Sequence, residues 1–247
     1  MKLLMINPNT TASMTEKAAV AARRVARPDT KIIATNPANG PYSIEGFYDV
    51  AMCLPGLLEE AARHRDVDAV IIACFDDTGL DAMRCLLDVP VIGIGEAGYH
   101  AAAMVAHRFS VVTTLSRSVA GISDNLKRYG LEAKCASVRA TDIPVLKLEE
   151  GDPACLDQIR AEIAAAITQD KAEAIVLGCA GMADLMQMLS DEFGIPVIDG
   201  VSCAVGMVEA LVAAGLSTSK AGAYAQAVDK KPFTRNRSEM DISVNAE

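Results

Sequence analysis

The sequence predicts an α/β protein: two pseudo-symmetric, parallel four-stranded βα domains with the active site in the cleft between them. Three observations carry that expectation. Short runs rich in Val, Ile and Leu alternate with longer segments of helical period, the pattern of βα units wrapped around a parallel sheet. Asp68-Ala69-Val70-Ile71-Ile72-Ala73-Cys74 is echoed by Glu173-Ala174-Ile175-Val176-Leu177-Gly178-Cys179, so the chain reads as a duplication. Each copy then runs through a helical segment into a second apolar strand, Val89-Pro90-Val91-Ile92-Gly93 or Ile195-Pro196-Val197-Ile198-Asp199-Gly200.

The elements follow in order. An apolar run over 2–7 gives the first strand, broken by Asn7-Pro8-Asn9. The helix over 13–26 has Ser13-Met14-Thr15-Glu16 as a capping box and Pro28 as its stop. Strands are then expected near 30–35, 68–74 and 90–94, with helices near 47–64, 79–87 and 98–107. The second series has strands near 109–114, 133–139, 172–178 and 195–198, with helices near 117–129, 152–169, 182–192 and 201–214. Asp152-Pro153 marks the start of the long Ala-rich helix, an acid at the N-cap and a proline in the first turn. Residues 1–107 form the first half and carry Cys74; residues 108–214 form the second and carry Cys179. The remainder, 215–247, reads as a C-terminal helix and polar tail.

Composition narrows the function. The chain has 247 residues, 51% of them hydrophobic, and 23 Lys plus Arg against 32 Asp plus Glu give a net charge of −9. That balance repels phosphate backbones and anionic lipid, and neither Arg23-Arg24-Val25-Ala26-Arg27 nor Lys230-Lys231 makes a useful basic patch. No nucleic-acid partner is expected. No apolar stretch approaches the roughly 18–20 residues of a membrane span, and the opening apolar run is too short for a secretory signal. A cytoplasmic protein with a small-molecule partner is the expectation.

Seven cysteines in a reducing compartment are expected to be thiols, and most such residues pack as small hydrophobes. Cys74 and Cys179 differ from the other five. Each ends an apolar strand shortly before a helix, where parallel sheets bind ligands, and the two occupy equivalent positions of the repeat. Facing thiols could take a proton from one face of a carbon centre and return one to the other, which inverts a stereocentre. A nearby helix N-terminus would favour the thiolate, and backbone amides after each cysteine could hold a developing enolate oxygen. Asp76 and Asp77 would oppose the thiolate unless they cap a helix and point away.

Competing signals are weaker. Gly93-Ile94-Gly95-Glu96-Ala97-Gly98 matches a dinucleotide fingerprint, but no acid follows at the ribose-binding distance. His64, His100 and His107 lack metal-ligand spacing, and no Cys-x-x-Cys or Gly-x-Ser-x-Gly occurs.

Ile6-Asn7-Pro8-Asn9-Thr10, Pro41-Tyr42-Ser43-Ile44-Glu45-Gly46, Ala73-Cys74-Phe75-Asp76-Asp77-Thr78-Gly79-Leu80, Val111-Val112-Thr113-Thr114 and Leu177-Gly178-Cys179-Ala180-Gly181-Met182 span nearly the whole chain. With these segments the chain resembles the hydantoin racemase branch of the aspartate/glutamate racemase superfamily, which also contains allantoin racemase. The resemblance implies a cofactor-independent racemase acting at C5 of 5-monosubstituted hydantoins, with Cys74 and Cys179 as the acid/base pair. It also implies a homo-oligomer, and substrate-binding roles for Asn9, Ser43, Ile44, Thr114 and the backbone at Phe75, Ala180 and Gly181. Amino-acid racemases of the superfamily commonly have Cys-Asn-Thr and Cys-Thr-His, where this chain has Cys74-Phe75-Asp76 and Cys179-Ala180-Gly181. Three alternatives stay open: an allantoin racemase, a single-thiol lyase or decarboxylase, and a non-catalytic small-molecule binder.

Overall fold

The computed structural model describes residues 1–149 and 152–226. The first series of elements is β1 (Lys2–Ile6), α1 (Ala12–Val25), β2 (Lys31–Thr35), α2 (Phe47–Arg63), β3 (Ala69–Ile72), α3 (Leu80–Leu86), β4 (Val91–Gly93) and α4 (Ile94–Val105). The second is β5 (Phe109–Thr113), α5 (Val119–Arg128), β6 (Cys135–Ala140), α6 (Val145–Glu149), α7 (Pro153–Thr168), β7 (Ala174–Gly178), α8 (Met186–Phe193), β8 (Val197–Asp199) and α9 (Gly200–Ala213). All eight expected strands are present, and the short α6 is an addition to the expected helices.

The strands form two parallel four-stranded sheets, ordered β2-β1-β3-β4 and β6-β5-β7-β8. The second order is the first with each strand advanced by four, so the repeat persists as topology. Because side chains alternate along a strand, each central strand feeds two cores. Leu3, Met5 and Ile71 enter a central core, while Leu4, Ile6, Val70 and Ile72 pack outward against Leu57, Leu80 and Met83 of α2 and α3. In the second sheet Val111 and Val176 enter that same central core, whereas Ile175 and Leu177 pack against Ile159, Ile163 and Leu189 of α7 and α8.

The central core is shared because α4 and α9 exchange partners. α4 leaves the first sheet and packs on β7 and β8, while α9 packs on β3, β4 and α1. Glycines make this close approach possible. A Cβ at Gly200 would lie 2.1 Å from the Ile94 carbonyl oxygen, and one at Gly98 would lie 2.9 Å from Val176 Cγ1. No helix of the described residues is long and apolar enough to cross a membrane.

Two local expectations are corrected. The capping box at Ser13 does not form: the N-cap is Thr11, whose hydroxyl donates instead to the Tyr42 carbonyl at 2.7 Å. The C-terminal helix expected in 215–247 is absent from residues 215–226, where only a turn at Gly222–Tyr224 is helical. Gly215 and Gly222 adopt left-handed backbone there. The segment serves as a strap: Thr218 N–H donates to Asp88 O at 2.7 Å, and the Lys220 ammonium donates to Arg84 O and Leu87 O at the end of α3. The polar tail lies outside the described residues.

Candidate active site

Cys74 follows β3 and Cys179 follows β7, each at the carboxyl end of a central strand of its sheet. Both line one cavity with an empty volume of about 450 Å3. No disulfide is formed by any of the seven cysteines, and Cys53, Cys85, Cys135, Cys155 and Cys203 do not line this cavity.

The Cys74 loop is held by its own backbone, with Asp77 N–H donating to the Cys74 carbonyl at 3.0 Å. Burial pushes the Cys74 thiol well above the ordinary thiol range, and the Asp76 carboxylate pushes in the same direction. The Thr78 hydroxyl, 3.6 Å from the sulfur, and the Asp76 backbone N–H act the other way. Burial and like charge win, so the net shift favours the thiol. The lowering expected from a helix N-terminus is not realised, because α3 starts only at Leu80. Asp76 is itself raised to about 6 by burial.

Asp77 does cap a helix, though not the one that follows it. Its carboxylate accepts the Gly95 N–H at 2.9 Å and the Glu96 N–H at 2.7 Å at the start of α4, and the Tyr129 hydroxyl at 2.7 Å. The glycine fingerprint is thereby explained. A Cβ at Gly93 would lie 1.9 Å from Asp77 Oδ1, and one at Gly95 would lie 2.3 Å from the Phe75 carbonyl oxygen. The anion bound at this helix N-terminus is the protein's own carboxylate.

The rest of the wall comes from both halves. Asn7 and Asn9, just beyond β1, hold each other through Asn7 Nδ2 donating to Asn9 Oδ1 at 2.8 Å. Asn9 Oδ1 also accepts the Thr11 N–H at 2.9 Å. The 41–46 loop is tied to the second half where Glu45 Oε1 accepts the Val145 N–H at 2.9 Å, and both Ile44 and Val145 line the cavity.

Among the binding residues expected from sequence, Asn9, Ile44, Phe75, Thr114 and Ala180 line the cavity with the two cysteines. Ser43 and Gly181 do not. Ile44 lines the wall where its neighbour Ser43 does not, and Gly181 lines a separate cavity although a Cβ there would lie 3.6 Å from both the Cys179 sulfur and Leu148 Cδ2. Sequence reasoning missed Asn7, Met14, Thr113, Ser118, Val145 and the wall position of Asp76. Asn7 follows β1 and Thr113 ends β5, so both were within reach of the rule that ligands sit at carboxyl ends. Val145 carried no such signal.

The chain matches the family model described as Asp/Glu/Hydantoin racemase over residues 3–208. It is 49% identical over 227 residues to the hydantoin racemase of Rhizobium meliloti, covering 91% of this chain and 94% of that protein. Among solved structures, the allantoin racemase from Klebsiella pneumoniae superposes with a TM-score of 0.91 at 47% identity, covering 96% of this chain and 97% of that one. The allantoin racemase from Pseudomonas fluorescens gives a TM-score of 0.92 at 43% identity, covering 94% and 100%. A match of this extent, on a fold that brings both repeat cysteines to one cavity, means that the chain belongs to the Asp/Glu/Hydantoin racemase family and is an isomerase of the racemase kind.

Proposed function

We propose that the chain racemises 5-monosubstituted hydantoins at C5 by two-base proton transfer between Cys74 and Cys179, with no cofactor. The observation that supports this reading is that the two thiols, from equivalent positions of the repeat, line one cavity. One cysteine, as thiolate, removes the C5 proton and becomes a thiol. The electron pair left on carbon delocalises into the adjacent ring carbonyl, where hydrogen-bond donors can hold the enolate oxygen. The opposite thiol then protonates C5 from the other face and becomes the thiolate, so the reverse reaction exchanges the two roles. Cys74, whose thiol form is favoured, starts as the acid. In the reverse direction the Asp76 N–H and Thr78 hydroxyl are the groups that steady its thiolate.

A hydantoin suits this site better than a free α-amino acid, because the ring is neutral and its C5–H lies beside a carbonyl. The relatives are named for hydantoin and for allantoin, and allantoin is a hydantoin with a ureido group at C5, so one C5 chemistry covers both names. A lyase or decarboxylase would need one thiol and a binder neither. On this reading residues 1–107 and 108–214 each contribute half of the site, in a cytoplasmic homo-oligomer.

The test is incubation of single enantiomers of a 5-substituted hydantoin in D2O with Cys74→Ser and Cys179→Ser variants. Each substitution is expected to lower kcat/KM by about 10²–10⁴, the usual contribution of a positioned acid or base. Racemisation that survives undiminished in either variant overturns the two-thiol mechanism.

A further inference from the structure

A second cavity, with an empty volume of about 560 Å3, adjoins the catalytic one. Phe47 and Val50 of α2, Arg117 and Ser118 before α5, Gly121 of α5, and Asp76 contribute to its lining. Asp76 and Ser118 line both cavities, so they form the boundary between them. Two other cavities, the groove beside Arg84 and Tyr224 and the one beside Leu148 and Asp184, share no lining residue with the catalytic cavity.

Asp76 is chemically distinctive at that boundary. Its carbonyl accepts the Asn125 side-chain amide at 2.9 Å, but among the described residues no hydrogen bond reaches its carboxylate. The side chain is half-buried and lines both cavities, and burial lifts its pKa to about 6, so above that pH it presents a charged acceptor to both, where a donor would find it. Arg117, exposed and making no ion pair among the described residues, offers a donor in the same cavity.

C5 is the reacting carbon, so a substituent on it leaves the ring from the point where the two thiols act. Asp76 stands two residues from Cys74, at the opening that such a group would enter. We propose that the second cavity is the subsite for the C5 substituent, and that the Asp76 carboxylate selects substituents presenting an N–H donor. This inference rests on the hydantoin reading given above. Ser118 borders the same opening, and Phe47 and Val50 supply the apolar wall against which the substituent packs.

Three substrates separate the parts: 5-methylhydantoin, whose substituent is too short to enter, and the 5-isobutyl and 5-ureido compounds, whose substituents have equal numbers of heavy atoms. A Cβ at Gly121 would meet Phe47 Cε1 at 3.8 Å, an ordinary contact, so Gly121→Leu fills the cavity without displacing backbone. It is expected to lower kcat/KM for the two longer substrates about tenfold more than for 5-methylhydantoin, as filling a specificity pocket does. Phe47→Ala removes an exposed wall that the fold does not depend on, and it is expected to lower the isobutyl-to-methyl ratio about threefold. Asp76→Asn is expected to lower the ureido-to-isobutyl ratio about fivefold or more, since a hydrogen bond to a charged acceptor is replaced by a neutral one. Taking ratios cancels any effect of Asp76 on the chemical step. Equal effects of all three variants on all three substrates overturn this inference alone. Absence of racemisation of any hydantoin by the unaltered chain overturns the functional reading and this inference with it.

Discussion

Cys74 is pulled in opposite directions by two parts of one neighbour. The Asp76 backbone N–H stabilises the thiolate, while the Asp76 carboxylate and burial disfavour it, and the net shift is upward. The pH dependence follows from the sign. A raised thiol pKa keeps the proton on sulfur to higher pH, and Asp76, with a pKa of about 6, is ionised throughout the range in which the thiol titrates. Removing that charge lowers the thiol pKa. Asp76→Asn is therefore expected to move the pH profile of Cys74 alkylation to lower pH, with reaction about threefold or more faster at pH 7.5. Alkylation followed by peptide mass spectrometry measures it, and an unmoved profile would mean that burial alone sets the thiol.

Among the elements, the start of α4 shows how one requirement is met in two ways. α9 begins after Asp199, whose carboxylate accepts the Val201 and Ser202 N–H groups, each at 2.9 Å. At the equivalent position α4 has Gly93, and the acid comes instead from Asp77 in the loop after β3. Asp77 reaches it from a left-handed backbone conformation, with φ of 51°. The helix N-terminus thus holds the Cys74 loop, and the loop caps the helix. Asp77→Ala would leave two N–H groups and the Tyr129 hydroxyl without their shared acceptor, a loss expected to be about 2–4 kcal/mol. Urea denaturation measures it. Burial raises the Asp77 pKa to about 7, so between the ordinary carboxylate range and pH 7 the folded chain holds a proton that the unfolded chain has lost. The stability that Asp77 contributes is greatest in acid and falls as pH rises through about 7. The difference between unaltered protein and Asp77→Ala should accordingly be larger at pH 5 than at pH 8.

Across the whole molecule, the exchange of α4 and α9 makes the halves interdependent. Leu3, Met5, Ile71 and Ile92 of the first sheet are covered by a core that includes Val201, Ala204, Val205 and Val208 of α9. A fragment ending at residue 107 would keep β1–β4 but expose that face to water. At roughly 25 cal/mol per Å2 of apolar surface, losing this cover removes more than a marginally stable domain can spare. The fragment 1–107 is expected not to fold alone, and the full chain to unfold in one transition, with near- and far-ultraviolet circular dichroism coincident. Two resolved transitions, or a fragment with dispersed amide resonances, would show that the central core is not the cooperative unit. Gly200→Ala tests the same seam: its Cβ would meet the Ile94 carbonyl oxygen at 2.1 Å. A destabilisation of about 3 kcal/mol or more is expected from such overpacking against backbone.

Apolar periodicity, the repeat and the strand-end position of Cys74 and Cys179 were legible in the sequence by itself, because side-chain alternation and burial are set by residues close in the chain. These determined the eight strands, the parallel α/β class and the pair of cysteines to watch. The residue-level fit was less complete. Asn9, Ile44, Phe75, Thr114 and Ala180 reached the cavity while Ser43 and Gly181 did not, since which member of a loop turns inward depends on where the loop is tied. Glu45 is tied to Val145, 100 positions away. The tertiary structure alone decided that α4 and α9 change sheets, that the dinucleotide-like glycines pack around the Asp77 carboxylate, and that burial raises the Cys74 pKa. Each of these turns on groups brought together by packing. Desolvation, close backbone approach and the charge of a neighbour act through space, and a linear pattern carries only those of their causes that lie within a turn or a strand of the residue concerned.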